Sequence, residues 1–195
     1  MKYVLYAIAM LCTAAGFSQQ GGSAYITQDA TRLVYNNGKD SIQLSNPDLR
    51  GFPMCQSAEI VAEVQIDGKG AKEVVVKRSI EWIYMLLGDE FNIREKTDRT
   101  VYEVWNVDNK KLLFSAVGGN HFSYISHYRL SSAEGAAHYN YDFSINEAGA
   151  IAISNVQVSG FPAESGRVSK EYRKFAKPDH KEGIYTFKNG KYSKQ

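Results

Sequence analysis

Three of the four histidines, His121, His127 and His138, fall in "HFSYISHYRL" (His121–Leu130) and "AHYNYDF" (Ala137–Phe143), close enough in sequence to suggest metal or proton chemistry. In an extended chain alternate side chains face opposite ways. Phe122, Tyr124, Tyr128 and Leu130 therefore share one side, and His121, Ile125, His127 and Arg129 the other. In the partner strand Ala137, Tyr139, Tyr141, Phe143 and Ile145 line up as core, while His138, Asn140, Asp142 and Ser144 face water. With Ser131–Ala136 as the loop, Leu130 pairs with Ala137, Tyr128 with Tyr139 and His127 with Asn140, so aromatic meets aromatic on the core side. His127 and His138 are then diagonal neighbours, and His121 lies about 20 Å further along its strand. A structural zinc site takes four ligands and a catalytic one three. This register offers two imidazoles, with Asp142 a distant third, so no metal site, catalytic residue or cofactor is expected.

Other chemistry has less to stand on. The chain lacks a Gly-x-Ser-x-Gly elbow, a His-Glu-x-x-His helix and a Cys-x-x-Cys pair, and "DGKGAK" (67–72) has the spacing of neither nucleotide fingerprint. Asp89-Glu90 reads as a solvated helix end. Cys55 is a conceivable nucleophile, but nothing in the sequence brings a histidine to it. Of the 13 tyrosines, Tyr102, Tyr124, Tyr128, Tyr139, Tyr141 and Tyr172 fall in the main body, where they fit either a sheet core or an aromatic platform for sugar or peptide. Charge is uneven: from Arg167 to the C-terminus nine Lys or Arg stand against three Asp or Glu. Lys170, Arg173, Lys174 and Lys177 form an outward basic stripe there, the candidate partner-binding residues. Its partner would be an envelope protein or an anionic polymer.

Position in the cell is suggested by the first eighteen residues. Lys2, an apolar run from Tyr3 to Ala15 and small residues at Gly16 and Ser18 have the form of a signal peptide. The expected location is periplasmic or extracellular, with no transmembrane segment, because the apolar run is too short to span a bilayer. Cys55 is then the only cysteine after cleavage, which leaves no internal disulfide. A net charge of +2 for the whole chain argues against nucleic acid, which needs a concentrated basic surface.

The elements that position these residues divide as 1–18 signal peptide, 19–57 N-terminal hairpin and linker, 58–163 core domain, and 164–195 basic helix and hairpin. Asn37-Gly38 links hairpin strands at Thr31–Tyr35 and Ser41–Leu44. "SNPDLRGFP" (45–53) is a linker, and Ala58–Ile66 alternates as a strand. Val76, Ile80, Ile83, Tyr84 and Leu87 have helical spacing, which predicts a helix over Lys72–Leu87 ending at Gly88. Asn92–Thr100 is a charged loop, and strands follow at Thr100–Val107 and Lys111–Val117 around the Asp108-Asn109-Lys110 turn, with a reversal at Gly118-Gly119. After the histidine strands come a turn at Asn146–Gly149, a strand at Ala150–Val158, a short helix over Ser165–Ala176, and a terminal hairpin around Asn189-Gly190.

The turn "DGKGAKE", Glu81-Trp82 in the expected helix, and an aromatic strand (Tyr139, Tyr141, Phe143) leading into Ala150–Val158 carry a resemblance, over a little more than half the exported chain, to the domain of unknown function family 4468. That family is known mainly from secreted and envelope proteins of Bacteroides-type bacteria. The resemblance implies an α+β fold like half of the TATA-binding protein: a curved antiparallel sheet with helices on one face, and no catalytic residues. The expected function is an exported binding or assembly module of the bacterial cell envelope. The other class is an envelope hydrolase acting on glycan or peptide, to be betrayed by a pocket holding two carboxylates.

Overall fold

The computed structural model describes residues 24–44, 52–66, 68, 70–88, 91–128, 131–160 and 177–195, with the backbone alone at 52–55, 91, 128 and 131–133. The expected signal peptide, most of the linker, and the 165–176 helix with Lys170, Arg173 and Lys174 lie outside the described residues. Strands β1 (Tyr25–Ile26), β2 (Arg32–Tyr35) and β3 (Asp40–Gln43) form a small antiparallel sheet. Strands β4 (Phe52–Val64), β5 (Glu73–Leu87), β6 (Phe91–Asn106), β7 (Lys111–Tyr128), β8 (Ser131–Ile145), β9 (Ile151–Ser159), β10 (Gly183–Lys188) and β11 (Lys191–Lys194) form a second sheet. In that sheet each strand pairs with its sequence neighbours, an eight-stranded antiparallel meander. No helix among the described residues is long and apolar enough to cross a membrane.

The α+β expectation is wrong: the described residues form two antiparallel sheets with no helix packed on them. Its central error is Lys72–Leu87, which is strand β5. Three consecutive valines, Val74–Val76, with Ile80 and Ile83 stiffen χ1 and suit a pleated surface. Val74 and Val76 are buried on one face and Val75 on the other. A strand buried on both sides reads as a continuous apolar run, in which helical spacing arises by coincidence. The charged stretch Asn92–Thr100, expected as a loop, is the first half of β6.

Local turn chemistry falls where expected. Asn36, Asn37 and Gly38 take positive φ of 52°, 54° and 83°, and Lys39 N–H donates to Asn36 O at 3.2 Å. Asn189 and Gly190, at 53° and 80°, close a two-residue loop between Lys188 and Lys191. Gly118-Gly119 does not reverse the chain. Instead β7 runs through it with a bulge, Val101 facing Val117 and Thr100 facing Gly119. A side chain at Gly118 would come within 2.5 Å of the Tyr102 ring, which itself stacks on Phe143 at 4.3 Å, so glycine serves close approach here.

The small sheet covers one face of the large one, where Leu33, Tyr35, Ile42 and Leu44 meet Val74, Val76 and Trp105. On the other face Val75, Val104, Phe114, Ala116, Ile151, Ile153 and Tyr185 form the main core. The sheet curls so that its far edge returns over β7: Phe114 lies 5.8 Å from the Tyr185 ring and 5.2 Å from that of Tyr192. Pairing of β7 with β8 stops at Gly119 and Asn140, and the segment before β10 fills the split. Asp179 accepts from Val117 N–H at 2.8 Å and from the Tyr141 hydroxyl at 3.0 Å. The His180 ring lies tilted against Phe114, centroids 4.8 Å apart, with Nδ1 3.2 Å from Asp179 Oδ1.

Burial pushes the Asp179 carboxyl up, but the approach of His180 and the bonds from Val117 and Tyr141 more than offset this and hold it below its ordinary value. A carboxyl with a depressed folded value contributes stability that is complete above its unfolded value and is lost as pH falls through the folded one. Acid unfolding of the wild type should therefore steepen below about pH 4. Asp179→Asn should cost about 1 kcal/mol at neutral pH, small because the carboxylate is partly exposed, and should flatten that acid limb. Urea midpoints measured from pH 3 to 7 check this; parallel curves for the two proteins would refute it.

Candidate ligand groove

The alternation expected for the histidine strands holds, and their register does not. Phe122 and Tyr124 are 1% and 2% exposed, and Ala137, Tyr139 and Tyr141 are buried, while His121, His127, His138, Asn140 and Asp142 are exposed. Tyr128 pairs with Ser131, Ser131–Ala136 is part of β8, and Asn140 faces Gly119 rather than His127. The slip is eight residues. An even slip returns every side chain to its own face, so the polar pattern is the same in both registers. The chemistry is not the same: His121 now stands directly opposite His138, and His127 faces Ser132.

That pairing belongs to a longer row. Successive register partners are Cys55 with Glu81, Glu81 with Asp98, Asp98 with His121, His121 with His138, and His138 with Ser159. One residue along, on the opposite face, Trp82, Thr97, Phe122 and Ala137 are also successive partners, and all four are buried. Their burial turns the other row outward. Only the backbone of Cys55 is described, and His121 stands three strands further along its row.

A groove of about 480 Å³ crosses β4 to β8 on this side. Ser57, Ser79, Thr100 and Asn140 supply hydroxyls and an amide, and Glu81, Asp98, His121 and His138 supply ionisable groups. Lys96 Nζ lies 3.0 Å from Glu81 and 3.4 Å from Asp98. The hydrogen bond to Glu81 does most to raise the Lys96 ammonium above its ordinary value. The His121 and His138 rings are 5.8 Å apart, and the Ser159 hydroxyl lies 2.5 Å from His138 Nε2. Asp142 is not part of the groove's chemistry, because Asn155 Nδ2 donates to it at 2.6 Å.

Beneath the groove's far end, Arg99 donates to Asn120 Oδ1 at 3.1 Å, and burial lowers its guanidinium from its ordinary value. Burial also raises the Tyr139 and Tyr141 phenols, with the Asp179 charge acting in the same direction. These tyrosines, with Tyr124, are core, so no aromatic platform is built from them. Of the basic stripe, Lys177 is described and exposed. Ser79, Lys96 and Asp98 went unnoticed in the sequence, and Glu81 stood out only as part of a structural signal, because they sit on a segment read as helix and one read as loop. Their signal was the run of polar residues at alternate positions, Asn92, Arg94, Lys96, Asp98 and Thr100. No family model matches the chain, and neither does any curated protein or solved structure.

Proposed function

We propose that the chain is an exported, non-catalytic binding module of the cell envelope whose groove takes a hydroxylated glycan. The observation that supports this most is the groove itself: five adjacent strands present a floor of short hydroxyl and amide side chains flanked by titratable ones. Short donors and acceptors on a rigid sheet suit a ligand whose own surface is hydroxyl groups. Lys177 and the exposed Lys188, Lys191 and Lys194 would add salt-dependent attraction for acidic groups along such a polymer.

One observation favours a hydrolase: the Ser159 hydroxyl on His138 has the nucleophile-to-base form, and Glu81 and Asp98 are two carboxylates in one groove. Against it, a serine–histidine pair works when a third group fixes the ring, and the carboxylate of this row stands behind His121, one strand further on. Glu81 and Asp98 share Lys96 rather than flanking an open space for a sugar bond.

Cosedimentation with purified envelope glycan tests the proposal. Ser79 is exposed on the groove floor, so Ser79→Trp should fill the groove, leave the fold intact and weaken binding at least about tenfold, or ~1.4 kcal/mol. Reversal of Lys170, Arg173, Lys174 and Lys177 to Glu should weaken it mainly at low salt. Undiminished sedimentation of the groove-filled protein would overturn the reading, and release of shortened glycan over time would favour the hydrolase instead.

A further inference from the structure

We infer that His121 and His138 form a two-imidazole clamp for a divalent transition ion, Zn²⁺ foremost. The two residues are direct cross-strand partners on the solvent side of β7 and β8, where opposed side chains start about 5 Å apart. A zinc-bound imidazole nitrogen lies about 2.0–2.1 Å from the ion. Adding roughly 1.1 Å from nitrogen to ring centre, two rings at a tetrahedral angle sit about 5.2 Å apart. The observed separation is 5.8 Å, so a small ring rotation completes the chelate without moving the sheet.

The surroundings supply what such rings need. The Ser159 hydroxyl lies within reach of both His138 nitrogens, 3.2 Å from Nδ1 and 2.5 Å from Nε2, so a rotation of the ring keeps one nitrogen on it and frees the other for the ion. Asp98 is the next residue of the row beside His121, the place from which a carboxylate orients a ligating imidazole. Among the described residues no three His, Cys, Asp or Glu side chains are already gathered around one point. The clamp therefore leaves coordination positions open to water or to a hydroxyl of a groove ligand, as an open zinc site does, and its affinity should be micromolar rather than that of a closed structural site. The inference stands apart from the glycan reading, because the ion is measured alone.

Equilibrium dialysis of the full chain against Zn²⁺ tests it, with thermal melts alongside. The expected result is one ion per chain and a melting temperature that rises with zinc concentration. His121→Asn and His138→Asn should each weaken binding at least about tenfold, the range that loss of even a ligand's partner produces. His127→Asn should change nothing, since His127 lies six residues along the strand, about 20 Å away. Circular dichroism keeps loss of fold distinct from loss of ligand. Absence of binding at millimolar zinc, or binding that survives both single substitutions, would overturn the clamp.

Discussion

Arg78→Met should destabilise the protein by about 3–5 kcal/mol, the cost of leaving one member of a buried ion pair alone. Arg78 sits in the middle of β5 with its side chain 2% exposed, and its Nη1 lies 3.4 Å from Oε1 of Glu103, itself 6% exposed. Glu103 is committed elsewhere too, since its Oε2 accepts from Trp105 Nε1 at 3.0 Å. Removing the guanidinium strands a carboxylate beneath the small sheet, where it cannot recover water. Substituting both residues separates that penalty from lost packing. Glu103→Gln keeps an acceptor for Trp105 and removes the charge, so Arg78→Met with Glu103→Gln should lose only about 1–2 kcal/mol. At the 2–4 °C per kcal/mol typical of chains this size, the single variant should melt roughly 6–20 °C lower. A double variant less stable than the single one would show that the charge was not the problem.

The same residue shows why parts of this fold were hidden in the sequence. Arg78 falls off the apolar stripe of the expected helix, and Glu103, with which it pairs, is 25 residues away, a separation no local pattern reveals. Features set within a few residues were legible: the Asn37-Gly38 and Asn189-Gly190 turns, the Asn146–Gly149 turn, and which side chains of 121–145 face water. Features set by pairing across the sheet were not. Alternation gives a strand's face and is blind to an even slip, so the sequence separated His121 from His138 while placing both correctly on the wet side. The groove was invisible for the same reason, being assembled by register from β4 to β8. The α+β shape implied by the family resemblance failed at Glu81-Trp82, where a helix was expected. Both residues lie in β5, one on the groove and one in the buried layer behind it.

Trp82→Ala should cost about 3–5 kcal/mol, the range for removing a large aromatic from a packed position. The indole is 8% exposed and stands in a cross-strand row with Thr97, Phe122 and Ala137, at 5%, 1% and 2%. The neighbouring Glu81 provides the contrast. Its side chain is 36% exposed, on the other face, and paired with Lys96, so Glu81→Gln should stay within about 0.5 kcal/mol of wild type. Two residues adjacent in sequence thus differ several-fold in effect because a strand sends them to opposite sides. The functional readout should divide the other way. Glu81→Gln changes a side chain that lines the groove and should alter glycan binding with the fold intact, whereas Trp82→Ala reaches the groove only through the sheet. Loss of the indole loosens the layer that holds Glu81, Asp98, His121 and His138 outward, so zinc affinity should weaken in step with local stability and recover in Trp82→Phe, which restores most of the buried volume. Urea melts of the three variants, with zinc titrations on each, decide it: a midpoint unmoved by Trp82→Ala would put the indole in solvent and remove the physical basis for the outward-facing row.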